Sequence, residues 1–403
     1  MSMKKGIIFP IQIIFVCLIF ASLIYQHEAI LLTTAGQGQE QSTTESDNIT
    51  QSGVPGTPHT DEHRIQQPVR PRIFDTVLLN DELELLEIRM NELDKVVDVF
   101  VVIESEQTFQ RGFKPLHFQQ ASRDKAFARF IDRVLHIVVP NITEAEEARN
   151  RRIGGDGPWA IESYLRNKGV QMALQTFQPS PGDWVLHSDV DEIPRASALA
   201  EIKASSSSLE EENDTHTQAQ TRVLDCSFYY YSFEFKRAES RKGPVLAQFQ
   251  LAPTGVDPNS DEPVELNNRG TRVFNKPLWE DWPNVGIRLR GLAYQDRGPN
   301  LVEDGCWHCS WCFSNISLVR SKAASYAHSE HNTDTYMNNT WIIKHVRQGK
   351  DLFDRNEIYN YGGPPIDVPK FIADHLDRFA YLTHRYKVPN AGFLDVPEES
   401  IHF

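Results

Sequence analysis

Residues 183–195 read DWVLHSDVDEIPR, an apolar run that breaks into Asp189, Asp191 and Glu192 and is then stopped by Pro194. If the chain stays extended to Asp191, Asp189 and Asp191 point to one side and Val190 to the other. Two carboxylates on one side make half a cage for a hard divalent cation. The same acids also suit a solvated turn in which Asp191 or Glu192 favours the start of a helix at 195–203. A bare D-x-D does not choose between these readings. A second cluster, Cys306-Trp-His308-Cys309-x-x-Cys312, has the residue types of a zinc site, but its ligands crowd into seven residues and no second pair stands at zinc-finger spacing.

The elements that must position these residues follow from hydrophobic period. RIFDTVLL reads as a strand, NDELELLEIRMNEL as a helix with Asp81 as its N-cap, VVDVFVVIES as a second strand, and RVLHIVV (133–139) as a third. WAIESYLRNKGVQMAL (159–174) reads as a helix leading into the short Val/Leu/Trp run before the acids, the pattern of a buried parallel strand whose carboxyl end opens on a ligand crevice. Strands alternating with helices predict an α/β sandwich with a largely parallel sheet. CSFYYYSFEFK (226–236) reads as an aromatic strand, one side of which suits a core and the other a sugar-stacking wall. KHVRQGKDLFDR and KFIADHLDRFAYLTHRY read as helices on one face of the sheet, and 204–220 and 253–270 as surface loops.

With 403 residues, 40% of them hydrophobic, the chain can build a sizeable core, and a formal net charge of −14 excludes the electrostatic footprint of a nucleic-acid binder. An anionic ligand therefore needs a local metal or arginines. Lys4 and Lys5 precede an uncharged apolar run, which predicts a cytoplasmic tail (1–6), a type II transmembrane signal-anchor (7–25) and a lumenal remainder; a cleaved signal peptide is the competing reading. A span this short suits the early secretory membranes. The Gln/Ser/Thr/Gly/Pro-rich stretch 26–70 reads as a flexible stem, 71–390 as the folded domain and 391–403 as a C-terminal tail. Sequons at Asn48, Asn141, Asn213, Asn315 and Asn338 agree with a lumenal domain. In that oxidising compartment Cys226, Cys306, Cys309 and Cys312 read as disulfides of open connectivity, with Cys226 joined to one of the other three, while Cys17 falls in the anchor.

Several spaced motifs, from about Arg72 to Leu382, resemble glycosyltransferase family 17: IFDTVLLNDELELLEIRMNEL, VVIESEQTFQRGFKPLHF, the ESYLRN helix, DWVLHSDVDEIPR, CWHCSWCF, SYAHSE (325–330) and QGKDLFD. The resemblance implies a GT-A-like fold and an inverting, metal-dependent transfer of N-acetylglucosamine from UDP-N-acetylglucosamine (UDP-GlcNAc) to a mannose of an N-glycan, on a Golgi membrane. It assigns Asp189 and Asp191 to a divalent cation, Mn2+, with His328 completing the shell, and Glu104, Lys114, Arg166, Asn167 and Asp189 to the donor. An inverting transfer also needs a carboxylate to take the acceptor proton, for which Glu330 and Asp304 are the candidates. Cys306 departs from the glycine that family members often carry before the tryptophan. Two other classes fit the same residues: a lumenal metal-dependent hydrolase using the carboxylates with His187, and a non-catalytic sugar-binding protein built on the aromatic strand.

Overall fold

The computed structural model describes residues 70–206, 220–249, 265–266, 272–273, 284–295, 300–363, 367–386 and 388–397. The expected tail, anchor and all but the last residue of the stem, with Cys17 and the sequons at Asn48 and Asn213, lie outside the described residues, as do most of the loops at 204–220 and 253–270. Among the described residues, no helix is long and apolar enough to cross a membrane.

Short apolar runs become strands β1 (Ile73–Leu78), β2 (Val99–Glu104), β3 (Val134–Val138) and β4 (Trp184–Asp189). They pair in parallel in the order β4-β1-β2-β3, with Phe74 opposite both Val99 and Val185. Such strands carry apolar residues on both faces because both are covered. Phe100 and Val102 pack with Leu86 and Met90 of helix α1 (Leu83–Leu93) in one core, whereas Val101 and Ile103 pack with Ile161 and Leu165 in another. Beyond β4 the sheet continues through β8 (Arg241–Gln248), β6 (Thr221–Tyr230), β7 (Ser232–Arg237) and β12 (Tyr359–Tyr361), all antiparallel neighbours. β11 (Leu301–Ser310) lies parallel to β6 and antiparallel to the short β5 (Glu192–Pro194). The protein is therefore a mixed α/β sheet, parallel in its first four strands and flanked by helices.

Three local expectations are corrected. Glu82, not Asp81, occupies the N-cap position of α1, because the Asp81 carboxylate turns away to accept hydrogen bonds from the Ser321 hydroxyl and the Asn80 amide. The aromatic stretch is not one strand: Tyr231 takes φ 66° and reverses the chain between β6 and β7. Residues 391–397 do not trail off as a tail, since Ala391, Phe393 and Val396 are buried in the aromatic core and Asp395 accepts the amides of Ile316 and Ser317. Those amides open helix α7 (Ile316–Ser325), which otherwise lacks a side-chain cap.

The cysteines pair as Cys226–Cys306 and Cys309–Cys312. Cys226 and Cys306 stand opposite one another on β6 and β11, so the first bridge locks two strands already in register.

Candidate active site

The chain lays β2 and β3 outward on one side of β1 and then returns to place β4 on the other, which makes the carboxyl ends of β1 and β4 a topological switch point. A cavity of about 390 Å³ opens there, lined by Leu78, Leu79 and Asn80 after β1, Ser105 after β2, and Asp189, Val190 and Asp191 after β4. Helix α4 (Pro158–Phe177) contributes Trp159, Glu162 and Arg166, helix α6 (Val285–Gln295) contributes Arg290, and α7 contributes Lys322. Phe228, Tyr230 and His308 line the side facing β6 and β11. Tyr229 points instead into the opposite core, where its ring lies 5.1 Å from Phe233, so the aromatic strand does divide its residues between cavity and core.

The acidic motif forms a turn rather than an extended strand, because β4 ends at Asp189 and β5 begins at Glu192. Asp189 lies on the face of β4 that meets α4 and α6. Arg166 donates to its Oδ1 at 2.5 Å and Arg290 to its Oδ2 at 2.9 Å, and Arg290 also binds both oxygens of the fully buried Glu192 at 2.6 and 2.7 Å. Val190 enters the core, and Asp191, 7% exposed, accepts from Lys322 at 2.9 Å with His308 Nε2 at 3.8 Å. Burial by itself raises the pKa of Asp189, but the Arg166 and Arg290 charges outweigh it and hold the carboxyl well below its usual range. Lys322 and His308 do the same, less strongly, for Asp191. Burial works to lower the Lys322 pKa and is outweighed by Asp191 and Glu82, which leaves its ammonium firmly charged.

The turn is also held from behind. Arg89 of α1 is fully buried, pairs with Asp75 at 2.6 Å, and donates to the carbonyls of Asp189 and Glu192 and to the Ser188 hydroxyl. α7 is tied to the β1–α1 connection by Ser321 to Asp81 and Asn80 to Ser325, which brings Lys322 over the turn. Gly286 lets α6 approach α4: a Cβ there would stand 2.4 Å from the Arg166 carbonyl oxygen.

Of the residues expected to form the site, Lys114, Arg166, Asp189, Asp191 and His328 line the cavity. Glu104 does not: it is fully buried and accepts the amides of Phe118 and Gln119 and a hydrogen bond from His136, so it fastens the start of helix α2 (His117–Ala121). Asn167 is buried as well and holds α6 to α4 through the Ile287 amide. Asp304 sits on an irregular part of β11, mostly exposed and bonded to Arg195, away from the cavity lining. Glu330 is exposed and does not line the cavity itself, but lies 2.7 Å from Nδ1 of His328, which does. His187 is buried against the Thr76 hydroxyl, and burial, with Arg166 and Arg290 nearby, pushes its pKa down to about 3; it does not line the cavity as the hydrolase reading requires.

Asp189, Asp191 and His328 are not brought together as a shared metal shell. Among the described residues the one group of three close ligands is His328, Glu330 and His331, whose ligand atoms lie within 4.8 Å of one another. Both oxygens of Asp189 and one of Asp191 are taken by cations. A divalent ion at this pair would sit beside three like charges, so the pair as folded does not fit it.

A polar cavity at the switch point of parallel strands is the architecture of a ligand-binding α/β enzyme. The chain belongs to glycosyltransferase family 17, whose family model matches residues 2–254 and 290–363. It is similar to the β-1,4-mannosyl-glycoprotein 4-beta-N-acetylglucosaminyltransferase of Rattus norvegicus, 24% identical over 345 residues that cover 82% of this chain and 58% of that one. The Homo sapiens protein of the same name is 24% identical over 334 residues, covering 80% and 57%. The chain thus spans less than three fifths of the length of these curated relatives. Among solved structures, a 4-diphosphocytidyl-2C-methyl-D-erythritol synthase aligns with 44% of this chain and 75% of its own at 14% identity and a TM-score of 0.25, too slight a likeness to bear on the fold.

Proposed function

We propose that this protein is an inverting glycosyltransferase of GT-A-like architecture that transfers N-acetylglucosamine from UDP-GlcNAc to a mannose of an N-glycan. The observation that carries the reading is the cavity at the carboxyl ends of β1, β2 and β4, in which an acidic turn organises arginines and a lysine within a chain of family 17. The parallel β4-β1-β2-β3 block supports the architecture, and the name of the relatives supports the transferred sugar and the mannosyl acceptor.

In the transfer, the bond between the sugar's anomeric carbon and the β-phosphate oxygen breaks, and its electron pair leaves with the uridine diphosphate. The acceptor hydroxyl oxygen bonds to that carbon from the opposite face. Its proton passes to the ring of His328, which lines the cavity and is oriented by Glu330 through Nδ1. Tyr230 and Phe228, packed on Tyr359, form the cavity wall on the side of the aromatic core. A lumenal, Golgi-membrane setting is supported by the apolar run at 7–25, by the sequons and by two disulfides, which persist in oxidising compartments.

The test is incubation of the full chain with UDP-GlcNAc and a mixed N-glycan pool, with the glycans read by mass spectrometry. A mass increase of one N-acetylhexosamine, lost in Glu330→Gln, is expected. Free N-acetylglucosamine formed at the same rate without acceptor would instead indicate a hydrolase.

A further inference from the structure

The expected cation and the observed acidic turn disagree. Six cations, Lys114, Arg166, Arg241, Arg290, Lys322 and Arg355, line the cavity against five carboxylates, although the whole chain carries a formal charge of −14. Positive charge is concentrated where the acids were expected to attract it from solution. The arrangement also fixes these cations in place: Arg166 and Arg290 grip Asp189 from two helices, and Lys322 sits between Asp191 at 2.9 Å and Glu82 at 3.5 Å. Arg166, which lines the cavity, is 4% exposed, yet its Nη1 is buried with no hydrogen-bond partner, a donor the protein itself leaves unmet.

We propose that Arg166, Arg290 and Lys322 hold the diphosphate of the donor directly, that Asp189 and Asp191 are positioning residues for those cations, and that donor binding needs no divalent ion. This rests on the reading of the cavity as a nucleotide-sugar site. Guanidinium and ammonium groups held rigid before the substrate arrives can meet the charge that develops on the departing phosphate oxygen without reorganising. The electron pair released from the glycosidic bond is then stabilised by N–H donors in the role otherwise given to a metal.

The two roles for Asp191 predict opposite signs. A metal ligand, once neutralised, loses the ion and with it the diphosphate. A positioning carboxylate, once neutralised, removes negative charge from the cavity, while Glu82 at 3.5 Å still holds Lys322 in place.

The experiment is isothermal titration of uridine diphosphate into the full chain, once with excess chelator and once with Mn2+, with a melting curve for every variant. Wild type should bind with the same affinity, within about threefold, in both buffers. Lys322→Ala should weaken binding about tenfold or more, the scale of one charge-assisted hydrogen bond, and Lys322→Arg should recover part of it. Asp191→Asn should bind at least as tightly as wild type in chelator. Binding that appears only with Mn2+, or that Asp191→Asn abolishes in a protein that still melts cooperatively, would overturn the proposal while leaving the nucleotide-sugar reading intact. If folded wild type binds uridine diphosphate in neither buffer, the nucleotide-sugar reading itself fails and this proposal with it.

Discussion

Asp189 has a guanidinium on each carboxylate oxygen and a third arginine on its carbonyl, so the motif that attracts attention in the sequence is organised by residues that do not. Arg89 is the clearest of these. It falls at i+3 from Leu86 and i−4 from Leu93, on the buried stripe of α1, where an arginine is out of place unless it has a buried partner. An arginine on an apolar stripe is therefore a signal that sequence reading can use. Arg89→Met should leave Asp75 buried without compensation and cost about 3–5 kcal/mol in denaturant unfolding, since breaking one side of a buried pair is much worse than replacing both. Adding Asp75→Leu should restore most of that loss. If Arg89→Met is as stable as wild type, Arg89 is not the strap described here.

At the scale of elements, the first half of the domain was legible and the assembly of the site was not. The runs that became β1 to β4 and the helix at Pro158–Phe177 are short, strongly patterned and consecutive, so local period located them. Arg290 and Lys322 come from helices 101 and 131 positions beyond their partners Asp189 and Asp191, and no local pattern reports which distant helix will close over a turn. The stretch CSFYYYSFEFK misled because nothing in it announces a reversal: the turn is made by Tyr231 in a left-handed conformation, with no glycine or asparagine to mark it. The family resemblance assigns Glu104 to the donor, but its oxygens are spent on helix amides. The contact between α4 and α6 yields its own prediction. Gly286→Ala places a methyl 2.4 Å from the Arg166 carbonyl oxygen and 2.9 Å from the Asn167 nitrogen, so the helices must separate. The expected cost is about 1–3 kcal/mol of stability, together with weaker uridine diphosphate binding as Arg290 withdraws. A variant with both properties unchanged would show that the approach of α6 does not set the position of Arg290.

For the molecule as a whole, the two disulfides differ in reach. Cys226–Cys306 closes a loop of separation 80, whereas Cys309–Cys312 closes one of separation 3. By chain entropy the first restricts the unfolded chain by about 4.5 kcal/mol and the second by about 2 kcal/mol. Replacing Cys226 and Cys306 together by alanine should therefore lower the unfolding free energy clearly more than replacing Cys309 and Cys312. Equal losses from the two double variants would mean that strand pairing between β6 and β11 already does the work of the longer bridge.

The clasp made by Asp395 has a consequence for the order in which the protein comes into being. A polypeptide leaves the ribosome from its N-terminus, and the amides of Ile316 and Ser317 wait until residue 395 has followed them out. The strands β1 to β4 can pair while synthesis continues, but the helix that carries Lys322 has its N-terminal amides met only after most of the chain exists. During translation the acidic turn is thus present before the end of the helix that covers it is secured, and this interval is when a chaperone has most reason to attend to the nascent domain.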